Sequence, residues 1–410
     1  MNQFPNIPDP SQKRVAIRVA PEAERALRGG HPWLFASAIR RLSHEGQPGD
    51  LAVIFDRKGR FLAVGLYDPH SPIRVRILQH DRPAPINEEW FAGRLVAAQQ
   101  RRASLPPSTT GYRLVHGEND SLPGLVLDRY ENSFVLKLYT LAWVRHLKPL
   151  LAAFIAEIGG ERIILRLSRQ VQTETGALFG LHDGALLYGS SPQGSLRFVE
   201  NGLQFETDPI HGQKTGFFLD QRENRARVER LASGASVLNV FSYTGGFSLY
   251  AARGGATHVT SLDMSLPALD VAKRHFEIND DIPAGAAARH EMLRGDAFAL
   301  LERLAKQGRA YDLVVLDPPA FARRQDEVAG ALIAYGRLAR LGLRVLRQGG
   351  TLVAASCSSR VSANEFFRVV YEAAAAEKRP LQEIERTGHP IDHPVTFKEG
   401  AYLKCLFAKG

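Results

Sequence analysis

The sequence predicts a multidomain α/β protein that contains a small β-barrel, a central α+β module and a C-terminal doubly wound sheet. The chain has 410 residues, which exceeds the roughly 250 to 300 residues that one hydrophobic core organises. Short segments with a period of two dominate its first part, as in small β-barrels. From Val237 onward, apolar strands alternate with amphipathic helices, a pattern typical of parallel sheets. We therefore expect domains at residues 13–82, 83–209 and 210–410.

Composition narrows the classes of function. Lys and Arg number 52 against 43 Asp and Glu, a net charge of +9, which suits either a nucleic-acid partner or a basic solvated surface. Residues 13–82 hold 13 basic and 7 acidic side chains, so the excess is concentrated early. Residues Met1–Ser11 lack the apolar run of a secretory signal, and the longest apolar stretches, such as Leu150–Ile155, are too short to span a membrane. We expect a cytoplasmic protein.

The first domain is predicted to be a small barrel with one short helix over residues 22–28. Gly30 to Phe35, followed by Gly49 and Asp50, resembles the PUA domain that precedes a class of RNA methyltransferases. From the residues alone, Trp33 and Phe35 are expected to be core aromatics rather than platforms for base stacking, because rings in small barrels usually fill the interior. The predicted strands are Val15–Val19, 51–55, 61–65 and 73–77.

Residues 83–209 are predicted to form an α+β module that docks the substrate. A helix is expected from Glu88 to about Ala103 and another over residues 141–158, and no catalytic spacing is present. The strands are predicted at residues 125–127, 133–139, 163–167 and 196–198.

The C-terminal domain is predicted to be a doubly wound sheet. Because its crossovers share one hand, the carboxyl ends of its strands open toward one edge, where ligands bind. Helices are expected between the strands, such as 268–279 and 297–307. The strands are predicted at residues 237–240, 258–262, 292–294, 313–316 and 351–355.

The ends of the first three strands describe a nucleoside pocket. The first strand runs into Asn239–Gly246, where glycines allow close approach of a ligand to the backbone and a helix start offers free N–H groups. Asp263 ends the second strand and suits ribose hydroxyls, because a carboxylate accepts two hydrogen bonds at once. Asp296 ends the third and could accept from an adenine amine, although it is equally placed to cap the helix at Ala297.

The fourth and fifth strands add two reactive groups to the same edge. Asp317 is followed by Pro318 and Pro319, which cannot continue the ladder and so fix the loop. The fifth strand ends in Ser356-Cys357-Ser358 and brings a thiol to the edge. The only other cysteine, Cys405, lies in an alternating apolar strand over 402–408 and is expected to be packing; neither cysteine has the spacing of a metal site or a disulfide framework.

These motifs follow one another along the chain as they do in the large-subunit ribosomal RNA 5-methylcytosine methyltransferases that carry an N-terminal PUA domain, and the chain resembles that family. The matching segments also include Thr215–Arg222 and Lys398–Lys404. The resemblance implies a PUA-like barrel, a Rossmann-like (class I) methyltransferase domain, S-adenosylmethionine (SAM) as cofactor, ribosomal RNA as partner and a homodimer. It implies a cofactor pocket formed by Gln221, Arg222, Phe241, Ser242, Tyr243, Gly245, Asp263, Met264, Asp296, Ala297, Asp317 and Pro318. Arg222 could instead pair with Glu223 or Glu229 on a helix.

These residues lead to a hypothesis for the reaction. Carbon 5 of cytosine is a poor nucleophile, so Cys357 is expected to add to carbon 6, and Asp317 to stabilise the charge that builds on the ring. Two alternatives remain. Asp-Pro-Pro also resembles the signature of enzymes that methylate a nitrogen, although Ala320 stands where they have an aromatic residue. The chain could also be an RNA-binding factor without catalysis, against which the three aspartates argue.

Overall fold

The computed structural model describes residues 7–212, 214–279 and 289–410. Within them the chain forms two compact units. The first contains the chain up to Asn201, Thr207–Leu219 and Ile391–Phe397, and the second contains Gly202–Glu206, Asp220–Pro390 and Lys398–Gly410. The three-domain division with boundaries at 82 and 209 stays a prediction. Of the segment 1–11, which was compared with a secretory signal, residues 1–6 lie outside the described part.

The first unit begins with a six-stranded sheet and one helix, α1 (Pro21–Arg28). Its strands are β1 (Val15–Val19), β2 (Trp33–Phe35), β3 (Ile39–Leu42), β4 (Leu51–Phe55), β5 (Phe61–Tyr67) and β6 (Ile73–His80). They lie in the order β2-β6-β5-β4-β1-β3. The four predicted strands are confirmed, whereas β2 and β3 escaped prediction because they have three and four residues, too few to establish a period.

The prediction that Phe35 fills the barrel interior is wrong. Alternation along β2 turns Leu34 inward, where it is 1% exposed, and leaves Phe35 43% exposed on the other side of the strand. Trp33 shares that outer side and is half-buried, because its ring packs edge-on against Phe397 at 5.1 Å between centroids. Its indole N–H also donates to Glu118 at 2.8 Å. In the phase that this three-residue strand adopts, the single inward side chain is the aliphatic Leu34.

The remainder of the first unit is a five-stranded sheet with helices. A helix predicted over 141–158 begins as a 3-10 turn over Leu141–His146 before the α-helix. The strands lie in the order β11-β10-β9-β8-β7. The elements are α2 (Glu88–Arg101), β7 (Gly111–His116), β8 (Leu125–Tyr130), β9 (Ser133–Leu138), α3 (Leu147–Glu157), β10 (Arg162–Leu167), α4 (Arg169–Gln172), β11 (Leu186–Gly189) and β12 (Leu196–Glu200).

A seven-stranded sheet dominates the second unit. Its order is β16-β15-β14-β17-β18-β20-β19; the first five strands are parallel to one another, and β20 is antiparallel to both of its neighbours, β18 and β19. All five predicted parallel strands are confirmed. After β13 (Leu203–Thr207), the elements are α5 (Arg222–Leu231), β14 (Ser236–Val240), α6 (Gly246–Arg253), β15 (His258–Asp263), α7 (Leu266–Glu277), β16 (Arg289–Arg294), α8 (Ala297–Lys306), β17 (Tyr311–Leu316), α9 (Val328–Arg344), β18 (Leu346–Ser356), α10 (Ala363–Ala376), β19 (Gln382–Thr387) and β20 (Lys404–Lys409).

Both faces of this sheet are buried under helices. Val240, Leu316 and Ala354 point to the face covered by α8, α9 and α10, whereas their neighbours Val315 and Ala355 point to the face covered by α5 and α6. Parallel strands buried on both sides read as continuous apolar runs, which is how the sequence presents them. Among the described residues, none of the helices combines the length and apolar composition needed to cross a membrane.

Strand register sets the position of the candidate site. Val240 at the end of β14 is paired with Leu262 of β15 on one side and with Leu316 of β17 on the other. One residue further along, Asp263, Phe241 and Asp317 therefore stand side by side at the carboxyl edge. The chain runs from β14 outward to β16 and then returns to β17, so the order reverses between β14 and β17. In doubly wound folds, ligands bind at this reversal.

Replacing Phe366 with Ala should destabilise the second unit by about 3 to 5 kcal/mol, because a large core side chain is removed and leaves a cavity. Phe366 lies on α10 and is 1% exposed. Ile333→Ala on neighbouring α9 is the control, since Ile333 is 73% exposed. Urea denaturation followed by circular dichroism measures both. Equal shifts in the two variants would contradict the placement of α10 against the sheet.

Candidate active site

The turn between β14 and α6 has an unusual backbone. Phe241, Tyr243 and Gly245 have φ angles of +61°, +47° and +74°, and left-handed conformations are costly for residues with a side chain. The amide of Ser242 donates to the carbonyl of Leu262 at 2.9 Å, and that of Gly245 to the carbonyl of Ser242 at 2.8 Å. One hydrogen bond to β15 and one within the turn therefore hold its shape. The turn places the start of α6 at the carboxyl edge of the sheet.

Asp263 anchors this turn from the neighbouring strand. One carboxylate oxygen accepts from the amide of Tyr243 at 2.8 Å and the other from the amide of Ser265 at 2.9 Å. Each carboxylate oxygen has two lone pairs, and the side chain is half-buried, so it retains capacity to accept from a ligand. The residue predicted to bind ribose hydroxyls therefore also fixes the backbone beside it.

A series of hydrogen-bonded polar side chains lies behind the turn, and all but the half-buried His290 are buried. Asn239 donates to Ser248 at 2.9 Å, and Ser248 and Ser261 are 2.7 Å apart. Ser261 continues the series to Nε2 of His290 at 2.8 Å, and burial lowers the pKa of His290 to about 4, so the ring is neutral at neutral pH. The series joins β14, α6, β15 and β16 directly beneath the edge.

Asp317 is held by a second set of hydrogen bonds. The amide nitrogen of Gln221 donates to Asp317 at 2.9 Å. Asn224 in turn donates to Gln221 at 2.6 Å and accepts from Thr387 at 2.6 Å. Because the amide oxygen of Gln221 is occupied by Asn224, its nitrogen must face Asp317. Two residues predicted separately, Gln221 and Asp317, are therefore brought together.

Cys357 lies at the same edge. It follows the last residue of β18, is half-buried, and places its sulfur 3.9 Å from the carbonyl oxygen of Pro318. Its neighbours tie this loop down, since Ser356 donates to the hydroxyl of Tyr335 at 2.9 Å and Ser358 to the carbonyl of Ala322 at 2.7 Å. The thiol thus lies against the loop that begins with Asp317.

Cys405 has a different environment. It is fully buried on the sheet face covered by α5 and α6, and this burial raises the pKa of its thiol well above the usual value. The prediction that Cys405 is a packing residue is confirmed.

For four of the predicted cofactor residues, the local contacts do not point to a ligand. Asp296 is exposed and its side chain caps α8 by accepting from the amide of Ala299 at 2.9 Å, so the capping interpretation is confirmed. Ala297 is buried in the first turn of that helix, and Met264 is 65% exposed. Arg222 is fully buried at the start of α5 and contacts Glu223 at 3.3 Å, whereas Glu229 pairs with Arg253. Their contacts with cofactor stay predictions.

Lys404 is a buried charge beside the site that was not predicted from the sequence. Lys404 is 5% exposed, and its ammonium group donates to the carbonyls of Ser358, Val361 and Tyr402. The signal available in the sequence was a lysine within the alternating apolar strand that also contains Cys405.

The described part of the chain contains no group of three or more His, Cys, Asp or Glu that could hold a metal ion.

The fold and the edge site define a SAM-dependent methyltransferase preceded by a PUA-like domain. Residues 183–409 match the family described as S-adenosylmethionine-dependent methyltransferase, and residues 17–80 match the PUA-like domain. The structure of SMU.776 complexed with SAH has the same fold, with a TM-score of 0.81 at 24% identity, covering 97% of this chain and 100% of that one.

Two relatives narrow the family. The Ribosomal RNA large subunit methyltransferase of Deinococcus radiodurans is 48% identical over 98% of both chains. The Ribosomal RNA large subunit methyltransferase I of Pseudoalteromonas translucida is 38% identical over 96% of this chain and 99% of its own. The chain belongs to the SAM-dependent large-subunit ribosomal RNA methyltransferases.

The residues at the edge fit SAM. The buried oxygen atoms of Asn239, Ser242 and Thr244 have no hydrogen-bond partner within the described residues, and buried polar atoms are rarely left unsatisfied. Asp263 offers acceptors for hydroxyl groups, and the start of α6 offers N–H donors suited to a carboxylate. An amino acid joined to a nucleoside presents both kinds of group. We expect Asp263 and the turn 241–245 to hold the cofactor.

Replacing Gly245 with Ala should lower SAM affinity at least about tenfold, the equivalent of about 1.4 kcal/mol. An added Cβ would lie 2.8 Å from the Cβ of Ala272, and the backbone is left-handed, so the turn must shift. Gly308→Ala is the control, because Gly308 has a φ of +69° with open space around it. Isothermal titration with SAM compares them; equal affinities in the two variants would contradict the assigned role of the turn.

Proposed function

We propose that this protein methylates carbon 5 of a cytosine in large-subunit (23S) ribosomal RNA, with Cys357 as the nucleophile. The observation that carries this proposal is the position of the Cys357 thiol, against the loop of Asp317 and Pro318 and on the same sheet edge as the glycine turn. A methyltransferase that acts on a nitrogen has no need of a thiol there. The names of the two relatives support ribosomal RNA as the substrate.

In the proposed reaction, the thiolate of Cys357 forms a bond to carbon 6 of the cytosine ring, and the electron pair of the carbon 5–carbon 6 double bond moves toward carbon 5 and the ring nitrogen. Asp317, held by Gln221, hydrogen-bonds the ring nitrogen or amine; in its protonated form it donates to the ring nitrogen and stabilises the negative charge that develops there. When bound, SAM supplies the electrophilic methyl group that carbon 5 takes up. A base then removes the proton from carbon 5, and the carbon–sulfur bond breaks to release Cys357 and restore the aromatic ring.

The first domain is proposed to bind the RNA. Arg18 on β1 and Arg41 on β3 are directly opposite each other and exposed, and like charges in this position destabilise a strand pair. In the parts of the chain that the structure describes, neither arginine takes part in an ion pair. A phosphate group between them would relieve the repulsion. We assign RNA binding to residues 13–82, docking to 83–209 and methyl transfer to 210–410.

Replacing Cys357 with Ala should abolish methylation of ribosomal RNA while SAM affinity stays within about twofold, because the thiol acts on the base and not on the cofactor. The matched control is Cys405→Ala, which removes the buried thiol of the neighbouring strand and should retain activity. Transfer of radiolabelled methyl groups to naked ribosomal RNA measures turnover, and mass spectrometry of the digested product identifies the nucleoside.

Two outcomes would contradict the proposal. Wild-type turnover by the Cys357 variant would eliminate the covalent route. An N-methylated nucleoside in place of 5-methylcytidine would favour the amino-methylating alternative for the Asp-Pro-Pro loop.

Replacing Arg18 and Arg41 together with Gln should weaken RNA binding about tenfold and lower the slope of log affinity against log salt by about 1 to 2, since each phosphate contact releases a counterion. The control replaces Arg337 and Arg368 with Gln, which removes the same charge from helices α9 and α10, where these arginines pair with Glu302 and Glu372. Filter binding at several salt concentrations compares the two. An equal loss in both variants would mean that only net charge matters.

A further inference from the structure

Lys404 is a buried ammonium group whose hydrogen bonds converge on the loop that follows Cys357. It donates to the carbonyl oxygens of Ser358, of Val361 at 2.6 Å and of Tyr402 at 3.2 Å. An ammonium group has three N–H donors, so these three carbonyls satisfy it fully. Two of the three acceptors lie within four residues of Cys357 on the chain.

Burying a charge is costly unless hydrogen bonds compensate for it, and an aliphatic residue would suit this strand without that cost. The neighbours of Lys404 in β20, from Cys405 to Ala408, are buried apolar side chains. The carbonyls that Lys404 binds lie just beyond the ladder between β18 and β20, which ends at the pair Ser356 and Lys404. Beyond the end of β18, the side chain of Lys404 therefore supplies hydrogen bonds to the backbone of the loop that begins with Cys357.

We propose that Lys404 is a positioning residue for Cys357: its ammonium group fixes the loop that carries the thiol, and its charge favours the thiolate. The inference rests on the proposed function, in which Cys357 must be a thiolate to attack the base. It assigns to the terminal strand, which contributes no group to the proposed chemistry, a direct part in preparing the nucleophile.

Among the described groups that act on this region, Lys404 supplies a positive charge and interacts electrostatically with Cys357. Asp317 and the hydroxyl of Tyr335 interact electrostatically with this region, and a carboxylate or phenol offers no positive charge to a thiolate. Glu365 at the start of α10 acts on Lys404 but is itself bound to Ser362. Nε2 of His389 accepts from the amide of Leu403 at 3.1 Å, so this nitrogen carries no proton.

Burial lowers the pKa of Lys404 to about 8, while the Cys357 thiolate acts in the opposite direction. The lysine is therefore mostly protonated at neutral pH and loses its charge as the pH rises through about 8. Its support of the thiolate is present below that pH and fades above it, whereas exposed lysines stay charged to about pH 10.

Replacing Lys404 with Met removes the charge and keeps the length of the side chain. Iodoacetamide reacts with the thiolate, and peptide mass spectrometry separates Cys357 from buried Cys405. We expect the alkylation rate of Cys357 at about pH 7 to fall about tenfold and the midpoint of its pH profile to move upward. Lys404→Arg, which keeps a positive charge, should recover at least about half of the wild-type rate. Lys409→Met, at the exposed end of the same strand, should leave the rate unchanged.

An unchanged alkylation profile in folded Lys404→Met would overturn the proposal. If that variant fails to fold, the wild-type protein decides: its Cys357 should be alkylated with a midpoint at lower pH than a free peptide spanning residues 353–361, and equal midpoints overturn the proposal. Alkylation needs neither RNA nor SAM. Activity of Cys357→Ala would refute the proposed function and leave the thiolate effect of Lys404 standing, so the two failures are distinguishable.

Discussion

The parallel register of five strands is the constraint on which the site depends. Because Leu262, Val240 and Leu316 are paired in one row, the residues that follow them are forced to the same edge about one strand spacing apart, roughly 5 Å. Ala354 extends the row to β18, which brings Cys357 to that edge three residues later. Strand register therefore brings together side chains that are separated by up to 116 positions in the sequence, from Phe241 to Cys357.

This arrangement exposes strand ends, and the site stabilises them with polar groups rather than with apolar packing. Asp263 accepts two backbone amides, Gln221 binds Asp317, and Lys404 binds three carbonyls. Each of these interactions links two segments that the sheet alone would leave free to move. A ligand pocket at a strand edge needs such fixed polar groups, because preorganised groups need not rearrange when charge develops during a reaction.

The sequence predicted the centre of the sheet well because β14, β17 and the second half of β18 are mostly apolar, which leaves little choice of position. It predicted the site through residues at strand ends, and Gln221, Asp263, Asp317 and Cys357 do lie at one edge. It did not predict that Gln221 and Asp317 are hydrogen-bonded to each other, because they are 96 residues apart and register cannot be derived from one strand. The sequence also did not predict that Phe35 of β2 points outward. In a three-residue strand, a wrong choice of phase places every side chain on the wrong side. Lys404 was overlooked because a lysine in a strand usually marks a solvent-facing position.

The two cysteines show that the exposure of a thiol depends on its position relative to the end of a strand. Cys405 is paired with Ala355 of β18, only two residues before Cys357, so the two thiols lie close to each other in the sheet. Cys405 is inside the ladder, where period two turns it toward the helices and burial raises the pKa of its thiol. Cys357 is just beyond the ladder, half-exposed, with a buried ammonium group on the loop that follows it. The residue type alone does not distinguish the two thiols; the end of β18 leaves Cys357 accessible, as the proposed reaction requires, while Cys405 is buried.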